Sequence, residues 1–353
     1  MYDCSVTMVK FHNDEVTLPG SERTKMREHR DANRKRLKAG LTAQNKPQPT
    51  DLLSQGSYAM KTMTQHPDNK YDIDDGVYFE RSSLVGTRGT ELGALEARQM
   101  VRDAVDDGRF KTKPEVRPNC VRILYDAGYH VDLPIYRKVT EPAVFGQPKA
   151  YFELASVEWK RSDARDVTAW FEAENTKRSL DQENDGQLRR ICRLMKKFAR
   201  SRPSWSAQIT SGFAITVLVA ECYRGSATRD DQALYDTMVS VRDRLNGNLV
   251  VKHPVTPGDT ITEGTEDPKA QVLREKLTEA IESLKPLHEM RCSASAAFQA
   301  WDKVFNTDYF SRSGPSSSDS GGGERNVLTG GMIRSSAESG RSPVRKEGDR
   351  RYA

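Results

Sequence analysis

The stretch that decides the fold is Tyr71-Asp72-Ile73-Asp74-Asp75-Gly76. Alternate side chains of a β-strand share a face, so a strand here points Asp72 and Asp74 to one side and Ile73 into a core. Two carboxylates that close repel each other unless a divalent cation lies between them, and hard oxygen ligands suit Mg²⁺. The stretch therefore predicts a strand that carries two metal ligands.

A second segment, Gln55-Gly56-Ser57, lies shortly before this strand. We call these three residues the Gly-Ser segment. Its glycine lets the backbone approach a phosphate closely, and its serine adds a hydroxyl and the N–H groups of a helix start. Either motif alone is common in turns and loops. In combination, a phosphate-binding segment before an Asp-x-Asp strand is a layout for nucleotidyl transfer.

The third carboxylate of this hypothesis is Asp132. Between His130 and Tyr136, apolar residues alternate with His130, Asp132 and Pro134, a period of two that turns Asp132 away from the core. A preceding apolar run, Cys120–Tyr125, and a turn at residues 126–128 predict a hairpin. We expect Asp132 to lie across the sheet from the Asp-x-Asp pair, on a strand that ends near Pro134 or lies at an edge.

Composition limits the class of protein. The chain has 353 residues, is 30% charged and 36% hydrophobic, and carries a net charge of +5. This charge suits an anionic small ligand and is weak evidence for nucleic-acid binding. Its five cysteines lack CxxC spacing, which argues against a zinc site or a disulfide framework. No signal peptide or membrane span is recognisable, so we expect a cytoplasmic protein without a membrane partner.

The periodicity of the chain changes near residue 161. The first part is rich in strand patterns after a basic helix at 21–39, and the second part repeats apolar residues with a helical period. We predict an α+β fold with a mixed sheet, in which residues 1–160 form a catalytic lobe and 161–307 a helical lobe, with the site in the cleft between them. Residues 308–353 are too polar to fold and are predicted to be a disordered tail.

These motifs resemble the bacterial cGAS/DncV-like nucleotidyltransferases (CD-NTases) within the polymerase-β-like superfamily. The three-part acidic motif of Asp72, Asp74 and Asp132 alone marks the wider superfamily. Matches in the helical half favour this branch, at 159–163, 170–171, 188–196 and the buried helix from Ser211. The resemblance covers roughly residues 50 to 305.

The resemblance implies roles for individual residues. Two Mg²⁺ ions would be held by Asp72, Asp74 and Asp132. The nucleotide would be contacted by Gln55, Gly56, Ser57, Lys196, Ser211, Ser162, Arg122 and Asp259, of which the last three match less securely. Relatives carry an aromatic residue shortly after the Gly-Ser segment where this chain has Met60, which leaves base stacking there unsupported.

The resemblance also implies a function. Members make cyclic di- or trinucleotide signals from ATP and GTP, with release of pyrophosphate, for a downstream effector in the anti-phage defence known as CBASS. Some relatives have a flexible C-terminus that a ubiquitin-transferase-like enzyme conjugates to targets, which would involve Ala353. The alternatives are a linear nucleotidyltransferase acting on RNA ends or a small molecule, a non-catalytic nucleotide sensor and, for the tail, an inert segment.

Overall fold

The structure is a computed structural model that describes residues 1–66, 71–86, 89–126, 128–141 and 149–313. Residues 144–147, for which the sequence predicts a loop, and the tail from residue 314 onward, including Ala353, lie outside the described residues. No described helix is both long enough and apolar enough to cross a lipid bilayer.

Eight strands of the described chain form one mixed sheet. They are β1 (Asp51–Gln55), β2 (Asp72–Glu80), β3 (Glu115–Val116), β4 (Val121–Leu124), β5 (His130–Leu133), β6 (Ile135–Glu141), β7 (Lys149–Ala155) and β8 (Trp159–Arg161). The strand order is β3-β4-β5-β2-β6-β7-β8, with β1 paired to β2. Strand β2 runs parallel to β5 and β6, and the other pairs are antiparallel, which confirms the mixed sheet.

The strand predicted at Asp72 and Asp74 is confirmed as β2, which lies at the centre of this sheet. It pairs with β1 on one side and with β5 and then β6 on the other. The predicted hairpin is confirmed as β4 and β5. Strand β5 ends at Leu133, which confirms the predicted end near Pro134. The alternative, that this strand lies at an edge of the sheet, is wrong, because β5 lies between β4 and β2. Pro134 lacks only the N–H, and its carbonyl still accepts from the Val77 N–H at 2.8 Å, so the chain continues beside β2 as β6.

Eleven α-helices occur in the described residues. They are α1 (Ser5–Phe11), α2 (Gly20–Ala43), α3 (Gly56–Ala59), α4 (Ala94–Val105), α5 (Ala164–Arg178), α6 (Gln187–Ala199), α7 (Gly212–Cys222), α8 (Asp230–Gly247), α9 (Pro268–Ser283), α10 (Ala294–Phe305) and α11 (Tyr309–Ser313). The basic helix predicted at 21–39 is α2, which continues four residues further. Helix α7 is buried as predicted, with Leu218 and Val219 fully enclosed.

Two large hydrophobic cores and a smaller cluster around Ile73 occur in the described residues. One lies between β2, β4, β5, β6 and α4, and the other is built mainly by helices α5 to α11. The first helix joins the helical core through Met8 and Phe11, although its sequence shows little regular pattern. The division at residue 160 stays a prediction.

The start of the predicted tail needs a correction. Residues 309–313 form α11 rather than disordered chain, because Phe310 is fully buried against Phe11 and Phe305. Two aromatic side chains in this short segment supply the apolar surface that the rest of the tail lacks.

Candidate active site

The sheet places the three aspartates on one face. Asp74 and Asp132 are register partners on the parallel strands β2 and β5, and Asp72 lies two residues before Asp74 on the same strand. Side chains of register partners point the same way, and so do those two residues apart. A position of Asp132 on the opposite face of the sheet would rule out a shared site. In the structure, Asp132 lies on the same face as Asp72 and Asp74.

The Gly-Ser segment meets this face at the end of β1. Gln55 is the register partner of Asp74 across the antiparallel pair β1 and β2. Gly56 follows with a φ of +65°, and a Cβ built on it would lie 2.2 Å from Asp74 Oδ2. Glycine is therefore required here on two counts, for backbone conformation and for the space that the carboxylate occupies.

A cavity of about 400 Å³ opens between the sheet and the helices at this point. Its wall includes the Gly-Ser segment and the side chains of Asp72, Asp74, Ser162 and Lys196. A second cavity of about 730 Å³ adjoins it, because Asp72, Arg200 and Gly212 line both. The volumes fall in the range typical of ligand sites.

The carboxyl group of Asp74 sits in an electrostatically unfavourable place. Burial raises its pKa to about 8, the charges of Asp72 and Asp132 add to this rise, and Arg122 opposes it. An ionised Asp74 therefore gains from a cation placed between these carboxylates. The carboxylate oxygens of Asp72 and Asp74 are hard donors of the kind that Mg²⁺ prefers.

Asp132 is engaged by a protein cation instead. Arg122, its register partner on β4, donates from Nε to Oδ1 at 2.8 Å and from Nη2 to Oδ2 at 2.7 Å. Asp132 does not line the cavity, and among the described residues no three His, Cys, Asp or Glu side chains are grouped closely enough to hold one ion. Asp72 and Asp74 thus present donors that suit a metal at the cavity wall, and Asp132 becomes available only when Arg122 releases it.

Lys196 lines the cavity but is hydrogen-bonded to the protein. Its Nζ donates to Thr62 Oγ1 at 2.8 Å and to the Thr62 carbonyl at 3.3 Å. The residue is 4% exposed, and burial lowers the pKa of its ammonium group to about 8. A triphosphate contact by Lys196, which the resemblance implies, needs this side chain to turn from Thr62 toward the cavity.

The other three residues predicted to contact the nucleotide differ in where they lie relative to the two cavities. Ser162 lines the cavity, just before the N-cap of α5, which is Asp163. Ser211 caps α7 by accepting from the Ala214 N–H and lines the adjoining cavity. Asp259 lines neither of the two cavities and pairs with Lys160 at 2.8 Å. Nucleotide contacts by these residues stay predictions.

The charged and aromatic residues of the cavity wall that the sequence did not predict are Arg200, Phe213 and His253. The rings of Phe213 and His253 lie 5.6 Å apart at 60°. These two rings provide aromatic surface in the cavity. Met60, at the position where relatives carry an aromatic residue, is only 3% exposed. Arg200 follows Lys196 by one helical turn, and that spacing was the available signal.

Part of the chain is similar in sequence to known proteins. Residues 50–136 match the family model described as the nucleotidyltransferase domain of cyclic GMP-AMP synthase DncV-like proteins. A curated cyclic GMP-AMP synthase of Escherichia albertii is 24% identical over 223 residues, which cover 59% of this chain and 45% of the relative. The alignment thus spans about half the length of that relative.

Solved structures share the fold at low sequence identity. DncV of Vibrio cholerae, in complex with the linear intermediate pppA(3′,5′)pG, is 16% identical with a TM-score of 0.65, covering 86% of this chain and 96% of that one. CdnC of E. coli MS115-1 with ATP is 14% identical with a TM-score of 0.63, covering 86% and 98%. The matched family model over residues 50–136, the curated relative and the fold of the solved structures together make this chain similar to the bacterial cGAS/DncV-like nucleotidyltransferases.

Proposed function

We propose that the protein is a Mg²⁺-dependent synthase that joins ATP and GTP into a cyclic di- or trinucleotide and releases pyrophosphate. The observation that carries this proposal is the contact between Gly56 and Asp74, because it brings a phosphate-binding turn and a pair of carboxylates to the same cavity wall. The curated cyclic GMP-AMP synthase supports the same class of product.

Asp72 and Asp74 would hold Mg²⁺, with Asp132 joining them as Arg122 moves away. Two ions bound there would activate the attacking ribose hydroxyl and neutralise charge on the leaving pyrophosphate. Gly56 leaves the backbone of the Gly-Ser segment open to the triphosphate, and Ser57 offers its hydroxyl. Lys196 and Arg200 add positive charge to the cavity wall, where it counters the charge of the phosphates.

The cavity also provides for the bases. Phe213 and His253 present aromatic surface to the same space as the aspartates. Offset or edge contacts with such rings stabilise a planar base without selecting one base over another. The adjoining cavity leaves room beside Asp72 for a second nucleotide. Ring closure follows when the linear product re-enters the site turned round.

The wider role is part of the proposal. The cyclic product would act on a downstream effector in anti-phage defence, with a conjugating enzyme acting on the C-terminal tail at Ala353. A non-catalytic sensor is the second candidate, and the observation that favours it is the bidentate pair of Arg122 with Asp132. If Arg122 keeps Asp132 when nucleotide binds, the carboxylates cannot gather around two ions.

The test is incubation with all four nucleoside triphosphates and Mg²⁺, followed by pyrophosphate measurement and mass spectrometry after phosphatase treatment. We expect pyrophosphate release and a phosphatase-resistant cyclic product, both absent with EDTA and in the double variant Asp72→Ala/Asp74→Ala. A phosphatase-sensitive product would indicate a linear transferase instead. Nucleotide binding without pyrophosphate release would indicate a sensor.

A further inference from the structure

Three cationic side chains on α6 donate hydrogen bonds to three consecutive backbone carbonyls that follow the Gly-Ser segment. The pairs are Arg189 with Met60 at 2.9 Å, Arg193 with Lys61 at 2.7 Å and Lys196 with Thr62 at 3.3 Å. Their spacing of four and three residues places the donors on one face of the helix. We call these six residues the carbonyl clamp.

The three donors of the carbonyl clamp are deeply buried. Arg189, Arg193 and Lys196 are 3%, 4% and 4% exposed. Burial disfavours a charged group, and it lowers the pKa of Arg193 to about 10. Carboxylates compensate part of this cost, since Glu172 pairs with Arg189 and Asp185 lies 3.5 Å from Arg193. The Nε atoms of both arginines are nevertheless directed at carbonyls rather than carboxylates.

The carbonyls belong to the turn that ends α3, the short helix that begins at Gly56 of the Gly-Ser segment. Thr62 N–H donates to the Ser57 carbonyl at 2.9 Å, and Lys61 N–H donates to the Tyr58 carbonyl at 3.1 Å. This pattern is a Schellman turn, in which the residue at the position of Lys61 has a left-handed conformation. Lys61 has a φ of +53°, a region that favours glycine.

The turn therefore needs support from outside its own sequence, and the carbonyl clamp supplies it. Arg193 holds the carbonyl of the left-handed Lys61, and Lys196 holds both the carbonyl and the hydroxyl of Thr62. Thr62 in turn binds the carbonyl of Ser57. A continuous set of hydrogen bonds thus runs from α6 to the residue beside Gly56.

We propose that Arg189 and Arg193 are positioning residues, which act through the turn Met60–Thr62 to fix the Gly-Ser segment against Asp74 for binding of a triphosphate. The inference rests on the proposed function, since it concerns the same site. It assigns to the helical half of the chain a task in forming the phosphate site, separate from any direct contact of Lys196 with nucleotide.

The first test is hydrogen exchange of the nucleotide-free protein, read by mass spectrometry on peptides covering residues 56–63. We expect Arg193→Met to speed exchange there at least tenfold, and Arg193→Lys, which keeps one donor, to restore part of the protection. The matched control is Arg190→Met, on the same helix and 3% exposed, because Arg190 contacts Asp181, Glu183 and Asp230 within the helical part. The corresponding lysine variants replace any methionine variant that does not fold.

The second test compares ligands that differ only in their phosphates. We expect Arg193→Met to weaken binding of α,β-methylene ATP at least tenfold and binding of AMP less than threefold, with Arg190→Met changing the two equally. Exchange and binding of the Arg193 variants equal to those of the Arg190 variants would overturn the positioning role. Absence of pyrophosphate release from the wild type, with the exchange difference intact, would instead overturn the proposed function and leave the carbonyl clamp in place.

Discussion

Gly56 and Asp74 approach so closely that the structure has no room for a β-carbon between them: it would lie 2.2 Å from Asp74 Oδ2. The backbone of the Gly-Ser segment and the second aspartate of the Asp-x-Asp strand are therefore fixed relative to each other. Small displacements of reacting groups cost a large part of a rate, about 100-fold for 1 Å.

We expect Gly56→Ala to lower pyrophosphate release at least 100-fold, because the added methyl group displaces Asp74 and the positive φ is unfavourable for alanine. Turnover is measured with saturating ATP and GTP. The control is Gly247→Ala, where a Cβ meets nothing within 4 Å. Activity of Gly56→Ala within threefold of wild type would contradict the arrangement described here.

Asp72→Ala is expected to abolish turnover while leaving the melting temperature unchanged within about 2 °C. Asp72 is exposed in the cavity wall, so its removal costs little packing, whereas a metal ligand is lost. The control is Asp103→Ala, an exposed aspartate of α4 that pairs with Arg102. Full turnover by Asp72→Ala would reject the assigned site.

The pair of Arg122 and Asp132 predicts a gain of function in metal binding. In the nucleotide-free protein, Arg122→Gln frees both oxygens of Asp132, and we expect Mn²⁺, measured by electron paramagnetic resonance, to bind at least threefold more tightly. Arg117→Gln, which removes an exposed arginine paired with Glu115, serves as the control. Unchanged Mn²⁺ affinity in Arg122→Gln would mean that Asp132 is not a ligand.

Lys196 predicts a dependence of stability on pH. Its pKa is lowered from 10.5 to about 8 in the folded protein, so between these values the unfolded chain binds more protons. Stability therefore rises as pH increases from 8 to 10.5, by on the order of 3 kcal/mol from this group. Lys196→Met lacks this rise, and urea unfolding of both proteins at pH 8 and 10.5 measures the difference. Parallel curves would show that Lys196 is not a desolvated cation.

Asp75 and Arg34 predict a large effect on stability. Arg34 of α2 donates to both oxygens of Asp75, whose side chain is fully buried one residue after Asp74. Arg34→Met leaves a buried charge unpaired, and we expect a loss of about 3 kcal/mol in urea unfolding, near the lower end for such pairs because Arg34 is a quarter exposed. Adding Asp75→Asn should recover part of that loss. No recovery would assign the effect to packing of the arginine stem.

The sequence predicts those parts of the site that follow from local pattern. Alternation around Asp72 and Asp132 is enough to place both on strands facing away from a core, and the structure agrees. The pairing of Arg122 with Asp132 depends on the register of the β4–β5 hairpin. A shift of one residue in that register would turn the side chains of one strand to the opposite face of the sheet. The sequence therefore predicts that Arg122 lies near the nucleotide, but it does not show that this side chain is hydrogen-bonded to the carboxylate of Asp132.

Other features leave no mark in the sequence. The carbonyl clamp joins cationic residues to backbone carbonyls, and every residue has a carbonyl, so Met60, Lys61 and Thr62 carry no signal of their role. Helix α11 was missed for a related reason, since its two aromatic residues are stabilised by Phe11, almost 300 positions earlier in the chain. Tertiary contacts, rather than helix propensity, hold such short segments.

The packing of Phe11 against Phe305, Tyr309 and Phe310 has a consequence for synthesis on the ribosome. Helix α1 is translated almost 300 residues before these aromatic neighbours. Until residue 310 has left the exit tunnel, the apolar face of α1 has no completed core to join, whereas β1 to β8 are all available by residue 161. During translation the sheet is thus able to form well before the first helix of the chain reaches its final place.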